Sequence, residues 1–452
     1  MATTYIQSNF SGTGSSTGAK ATYSVWVKNN VKDDRSTIIS GRADGNNYMK
    51  FRFANDQLAL YGNHSSSNNV AIETNRKFRD PNAWLHIVLQ VDTTHATSTE
   101  RVKIFVNGVQ ETSFANSTYP AQNAPLYLTK EDDVQVGAFN NTEHFDGCMS
   151  HFYCIDGTIY APTVFAETDA TDGMWKGKAN PSVTYGSKGW LIFKNGANLS
   201  GSTVSDQSTN SNDWTVATGT LTPTKDSPDS NMSTLSPLAI FPSGLTMTNG
   251  NTSIASTASQ WAGRFSTQRV FKGKYYVEAQ FVTGHNLKFG VQGEDKAETE
   301  NWTTLNTSYA GKSAVGYEFQ CNNGNGYKVN NNSSPRWTNS DFTTATSTIM
   351  MAFDLDNGKI WWGRNGTWFN TSGTANPATG ADAAFTGIST DKSPYLFGLS
   401  LEGNGSSSNI NFGNGYYATT AIGSSVTANE GTWAYAPPTG FGAVNTKWIN
   451  TF

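Results

Sequence analysis

The sequence predicts an all-β protein made of two antiparallel β-sandwich domains joined by an ordered bridge, and three observations carry that prediction. Short runs alternate apolar and polar residues with period two, as half-buried strands require. Two of these runs, Val102–Val109 and Gly358–Gly366, lead into Asn-Gly, the strongest short-range hairpin signal, because both central positions of a type I′ turn need φ > 0. Each is preceded by an apolar strand closing on Asp, Trp84–Asp92 in the first half and Ile349–Asp356 in the second. One plan is therefore written twice, with Asn107, Gly108, Asn365 and Gly366 as structural turns that set register at equivalent places.

The elements follow in order. Over residues 1–157, Thr22–Lys28, Met49–Phe53 and Gln57–Tyr61 carry apolar residues at every second position for part of each run, and Gly, Asn, Asp and Ser clusters separate them. No convincing amphipathic helix interrupts them, which is the pattern of a sandwich. Residues 158–237 are rich in Gly, Ser, Asn and Asp, yet they contain Trp175, Gly189–Phe193 and Asp213–Val216. Large aromatics in a polar stretch need something to bury against, so this is expected to be an ordered bridge. Residues 238–430 return to strands, with Tyr275, Val277, Ala279 and Phe281 on one face of Lys274–Phe281. Residues 431–452 begin as a strand and meet Pro437-Pro438, which cannot continue a ladder.

Length, charge and cysteine content narrow the function. A chain of 452 residues exceeds the usual single domain. Charged residues make up only 15%, against a typical value of about 25%, so neutral Asn, Thr, Ser and Gly supply the polar surface. A net charge of −4 gives no electrostatic footprint for nucleic acid. No apolar run approaches the roughly 20 residues that span a bilayer, and the N-terminus lacks the basic start and apolar core of a secretory signal. The expectation is a soluble protein made in the cytoplasm. Three cysteines make no disulfide framework, and Cys148, Cys154 and Cys321 read as small apolar packing residues.

Several motif series resemble known families. Tyr23–Trp26, Trp84–His86, Asp92, Phe105–Gly108, Val136-Gly137 and Phe145–Gly147 together resemble a laminin-G-like domain with the concanavalin-type jelly roll. Gly273–Glu278, Phe289–Val291, Gly316-Tyr317, Asp354–Asp356, Gly358–Ile360 and Asn365-Gly366 resemble a SPRY-type domain, another concanavalin-like β-sandwich. The connecting strings DGTIYAPTVFAETDATDGMWKGK, NDWTVATG, DSPDSNMSTLSPL and PPTGFGAVNT, in this order around the two blocks, resemble a structural protein of tailed, marine-type bacteriophages. That resemblance implies a virion protein, an appendage such as a capsid decoration or tail fibre, with other virion proteins as partners. It also implies a homo-oligomer and possible contact with a host surface glycan.

Catalytic chemistry is hard to find. Jelly-roll glycosidases align acid and nucleophile as Glu-x-Asp-x-x-Glu, and no such string occurs. Glu298 and Glu300 share a two-residue spacing but read as a solvated loop. The six His are scattered, leaving zinc without a ligand set, and no phosphate loop or nucleophile elbow appears. The chain is expected not to be an enzyme. Calcium in a rim loop is the one cofactor considered, with Asp44, Asp132 and Asp133 as candidate ligands, although acidic turns without metal explain them as well. Trp302, Tyr309 and Trp337, placed in loops of the second domain, are the candidate ligand-binding residues, since aromatic faces pack on sugar rings. A free lectin or adhesin is the alternative function, and a glycan-cleaving enzyme a more distant one.

Overall fold

The computed structural model describes residues 3–8, 18–30, 35–65, 69–130, 133–194, 196, 198–238, 244–257, 259–284, 286–293, 309–322, 324–338, 347–369, 374–389, 394–423 and 425–452. It divides into two compact units, Met1–Pro223 and Thr224–Phe452, each with its own buried apolar core. Both are jelly rolls of two main antiparallel sheets, as the alternation predicts. Among the described residues no helix is long and apolar enough to cross a membrane.

In the first unit one sheet places, in spatial order, Phe114–Thr118, Val70–Lys77, Gln57–Asn63, Asn47–Ala54, Ser36–Asp44, Val134–Val136, Tyr5–Ser8, Trp214–Thr218, Thr203–Val204 and Leu199–Ser200. The other runs Trp190–Ile192, Gly147–Asp156, Lys20–Asn29, Leu85–Asp92, Val102–Val106, Val109–Gln110. The second unit repeats these neighbour relations. Arg336–Thr338, Asn325–Val329, Gly316–Asn322, Leu287–Gly293, Tyr395–Leu401 and Ala262–Phe265 form one sheet. Ser407–Asn411, Lys274–Thr283, Thr348–Asp354, Lys359–Arg364 and Thr367–Trp368 form the body of the other. The units differ at their sheet edges: the ten-stranded sheet of the first unit corresponds to a six-stranded one in the second, and the other sheets end on different strands. The strand beside Gly147–Asp156 comes later in the chain, Trp190–Ile192, whereas the strand beside Ser407–Asn411 comes earlier, Ser253–Ser256.

Both Asn-Gly turns sit where the duplicated pattern puts them. Val106 pairs with Val109 and Arg364 with Thr367, leaving two-residue loops. Asn107 and Gly108 have φ of 50° and 80°, Asn365 and Gly366 of 48° and 86°, the left-handed values a type I′ turn demands.

The stretch read as a bridge is divided between the units. Trp190 and Trp214 are fully buried in the first core and pack edge to face, with ring centroids 4.9 Å apart. Met232 and Leu235 lie in the second core. The tail joins the second core as well, through Trp433, Phe441, Ala443 and Val444. The polar composition of the bridge has a local cause. The Asp206 carboxylate accepts from the backbone N–H groups of Leu191, Ser208 and Asn212, and the Asn212 side chain donates to the carbonyls of Ser187 and Gly189. These side chains satisfy backbone groups that no ladder reaches. Cys154 and Cys321 are buried and Cys148 is half-buried, and none of the three is in a disulfide.

Candidate functional site

Each sandwich has two outer sheet faces, and the chain uses one of them itself. In the first unit, Val88, Tyr153, Ile155 and Leu191 point away from the core and are covered by Phe165, while Trp26 and Trp84 are covered by Ala166 and Trp175. His86 lies under this cover. It is stacked on Trp26 at 5.0 Å, shares a 2.8 Å hydrogen bond with Ser24 Oγ through Nε2, and accepts the Trp175 indole N–H at Nδ1 over 3.0 Å. Burial, with a smaller push from His151, holds its pKa down at about 3. A serine beside a histidine suggests a nucleophile and base. Here the indole occupies the second nitrogen where a Ser-His-Asp triad has its carboxylate, so the ring is a neutral fastener.

The second unit covers the equivalent face with its tail. Glu278, fully buried, accepts five hydrogen bonds: Tyr276 Oη at 3.0 Å, Tyr417 Oη at 3.0 Å, Asn411 Nδ2 at 3.1 Å, and the backbone N–H groups of Ala434 and Tyr435 at 3.0 and 2.9 Å. Burial pushes its pKa up and the donors pull against that. This carboxylate is a clamp for the Gly431–Trp433 strand and its continuation. Trp361 and Trp362 are adjacent, yet both are fully buried, because the tail residue Phe441 meets the first and Trp337 and Phe385 meet the second.

The opposite sheet face also carries charged side chains, and its alternation sets which ones they are. Met49, Phe51 and Phe53 point to the first core, so Lys50 and Arg52 point outward. The Glu143 carboxylate reaches over them: both oxygens lie 3.1 Å from Lys50 Nζ, and Arg52 Nη1 is 2.6 Å from Oε2. Arg35 approaches at 3.4 Å. The Lys50 ammonium sits 4.1 Å from the Phe139 ring and the Arg52 guanidinium 4.8 Å from the Tyr61 ring. Burial alone would raise the Glu143 pKa, but Arg52 and Lys50 hold it below the ordinary value.

On the corresponding sheet of the second unit, Leu287, Phe289 and Val291 point inward and Lys288 outward. Its ammonium lies 2.8 Å from the Tyr309 ring centroid and 4.4 Å from that of Trp261. Burial depresses its pKa to about 8, against the pull of Glu318 and Glu402. Glu318 accepts from the backbone N–H groups of Ala310 and Gly311 at 2.9 and 2.8 Å, which fixes the turn that carries Tyr309. Both faces thus hold a buried lysine beside a carboxylate and aromatic rings.

The sequence candidates separate accordingly. Tyr309 is half-buried on this face, with its hydroxyl donating to Asn332 Oδ1 at 2.8 Å. The expected loop placement of Trp337 is corrected: it lies in a short strand, half-buried, with its ring packed against Phe319, Trp362 and Phe369. Trp302, Asp132, Glu298 and Glu300 fall outside the described residues. Asp44 accepts from Asn46 N and Asn47 Nδ2 within its own turn, and Asp133 accepts from Gln7 Nε2. Among the described residues no three His, Cys, Asp or Glu side chains come together in a way that would hold a metal ion. Lys50, Arg52, Glu143 and Lys288 were not singled out in the sequence. Alternation in Tyr48–Phe53 marks the first two as outward, but only the fold brings Glu143 over them.

Fold and faces together define a protein of two tandem antiparallel β-sandwiches. Residues 2–165 match a laminin-G family model described as the Concanavalin A-like lectin/glucanases superfamily. No curated protein matches the chain. Among solved structures, the SPRY domain of human HERC1 is similar at 15% identity over 37% of this chain and 91% of that domain, with a TM-score of 0.27. The TRIM65 PSpry domain is similar at 11% identity over 40% and 88%, with a TM-score of 0.30.

Proposed function

We propose that this chain is a non-enzymatic structural and binding protein of a tailed-phage particle, a decoration, fibre or tail-associated appendage that contacts a host surface glycan or receptor. The observation that carries the binding half is the division of labour between sheet faces: in each unit one outer face is consumed by the chain's own connecting segments, and the other keeps cation, carboxylate and aromatic groups. Neither buried acid–base group on the covered faces is poised for turnover, since His86 is fastened on both nitrogens and Glu278 accepts five hydrogen bonds. The virion half rests on the resemblance of the connecting strings. In the structure these strings supply core residues such as Trp214, Met232 and Phe441, which suits a rigid part of an assembly.

Mass spectrometry of particles washed in high salt tests the virion reading. The protein is expected in fixed stoichiometry; its absence from particles, with abundant soluble protein in the lysate, moves the assignment to a free lectin. Incubation with a panel of polysaccharides is expected to release no reducing ends. Sustained release that disappears on changing one acidic residue would make it a glycosidase.

A further inference from the structure

The Lys50–Arg52 cluster buries two cations outside the apolar core. Both cations are buried, each only 7% exposed, on the outer face of a sheet whose core side is already filled by Met49, Phe51 and Phe53. Burying two like charges side by side is costly, and here a single carboxylate answers both. Arg52 Nε is buried and makes no hydrogen bond. The answering carboxylate belongs to no strand. It is delivered by a loop in which Asn140, Asn141 and Glu143 all adopt left-handed backbone, with φ of 48°, 60° and 51°. Such a conformation is uncommon for glutamate.

We propose that Lys50 and Arg52 form a carboxylate-binding site for an acidic sugar, a uronate residue of a glycan, and that Glu143 is a tethered occupant that the ligand's carboxylate displaces. The resident group shows the chemistry the site accepts: one carboxylate, spanned by Lys50 Nζ and Arg52 Nη1. The surroundings favour a sugar over an acidic peptide. Half-buried Tyr48, Tyr61 and Phe139 rings flank the cations, and Tyr48 packs on Phe139 with centroids 5.0 Å apart. Thr37 and exposed Asn140 add neutral hydrogen-bonding groups. Aromatic faces with neutral polar groups between them match a pyranose ring and its hydroxyls. Displacement leaves two cations facing one ligand carboxylate, while Glu143 moves into water. This deepens the binding reading above and is independent of any place in a virion.

A self-occupied site binds with an apparent affinity reduced by the fraction of molecules in which it is open. Oligogalacturonate binding, measured by calorimetry on the full chain, is therefore expected to tighten about tenfold or more in Glu143→Ala, with Glu143→Gln as a second variant that keeps the side-chain shape. The double variant Lys50→Met/Glu143→Ala is expected to lose binding, and the methyl-esterified oligosaccharide is expected not to bind. In the wild type, saturating oligogalacturonate should raise amide exchange across residues 139–144, a readout that needs no variant. Equal affinity of wild type and both Glu143 variants, with unchanged exchange, would overturn the proposal. So would equal binding of the ester, of a sulfated oligosaccharide or of a polyglutamate peptide, which would mark the cluster as an unselective charge patch. A neutral glycan bound with the cluster uninvolved would overturn the uronate site while leaving the binding function in place.

Discussion

At the scale of single residues, each Asn-Gly turn does more than reverse the chain. Asn107 donates its N–H to the His86 carbonyl and accepts the His86 N–H on its side chain, both at 2.8 Å. Asn365 repeats this on Thr348 at 3.0 and 2.9 Å. The glycine is then closed over by an aromatic ring: a Cβ on Gly108 would lie 2.7 Å from Trp175, and one on Gly366 3.1 Å from Tyr435. Gly108→Val and Gly366→Val should each destabilise their own unit by about 1–3 kcal/mol through left-handed strain, with the larger loss at Gly108, where the ring must also move. Denaturant titration of each variant checks this, and an unchanged midpoint would refute the turn's role. His86 gives a pH dependence with a definite sign. Its folded pKa of about 3 lies below the ordinary histidine value of 6.5, so the unfolded chain takes the proton more readily. The stabilisation is complete above pH 6.5 and is eroded as pH falls towards 3. Melting of the first unit should decline across that window, and His86→Gln should flatten the decline; a parallel decline in that variant would assign the acid sensitivity elsewhere.

Among the elements, the covering segments decide which sheet faces are free. The tail strand Gly431–Trp433 is held by backbone hydrogen bonds from Ala434 and Tyr435 to Glu278 and by the fully buried ring of Trp433 against Tyr276 at 5.0 Å. Glu278→Ala leaves several buried donors without an acceptor, each worth about 1–3 kcal/mol. The expected result is a loss of about 3 kcal/mol or more in the second unit, with amide exchange rising first across residues 431–445. Exchange confined to other segments would show that the apolar contacts alone hold the tail. A bulge marks Gly147–Asp156 of the first unit: its pairing with Lys20–Asn29 shifts between Ser150 and Tyr153, and His151 there has a φ of 48°. An extra residue left unpaired in this way bends the strand, a feature that period-two alternation does not reveal.

For the whole molecule, two separate cores predict two cooperative units. The divide at Pro223/Thr224 leaves each piece with both of its sheets, so residues 1–223 and 224–452 expressed separately should each fold and show a sharp thermal transition. Loss of cooperative melting in either piece would mean that its core needs the other half. The neighbour order repeated in the bodies of the sheets accounts for why one hairpin signal occurs twice in a sequence whose halves otherwise look unlike.

The sequence by itself determined what depends on local periodicity and turn chemistry. Inward rows such as Met49, Phe51 and Phe53, the all-β class, the duplication and the type I′ turns were legible because strand side chains alternate with period two and φ > 0 admits few residues. Tyr309 was legible as an aromatic beside a loop. Tertiary structure alone decided where the bridge divides, because the burial of Trp214 depends on pairing with Tyr5–Ser8, more than 200 residues away in the chain. It also packed the half-buried Trp337 ring against the core and placed the Glu143 carboxylate over Lys50 and Arg52, 91 to 93 residues distant. No local pattern records such meetings, because a charged side chain reads the same in sequence whether water or another chain segment neutralises it.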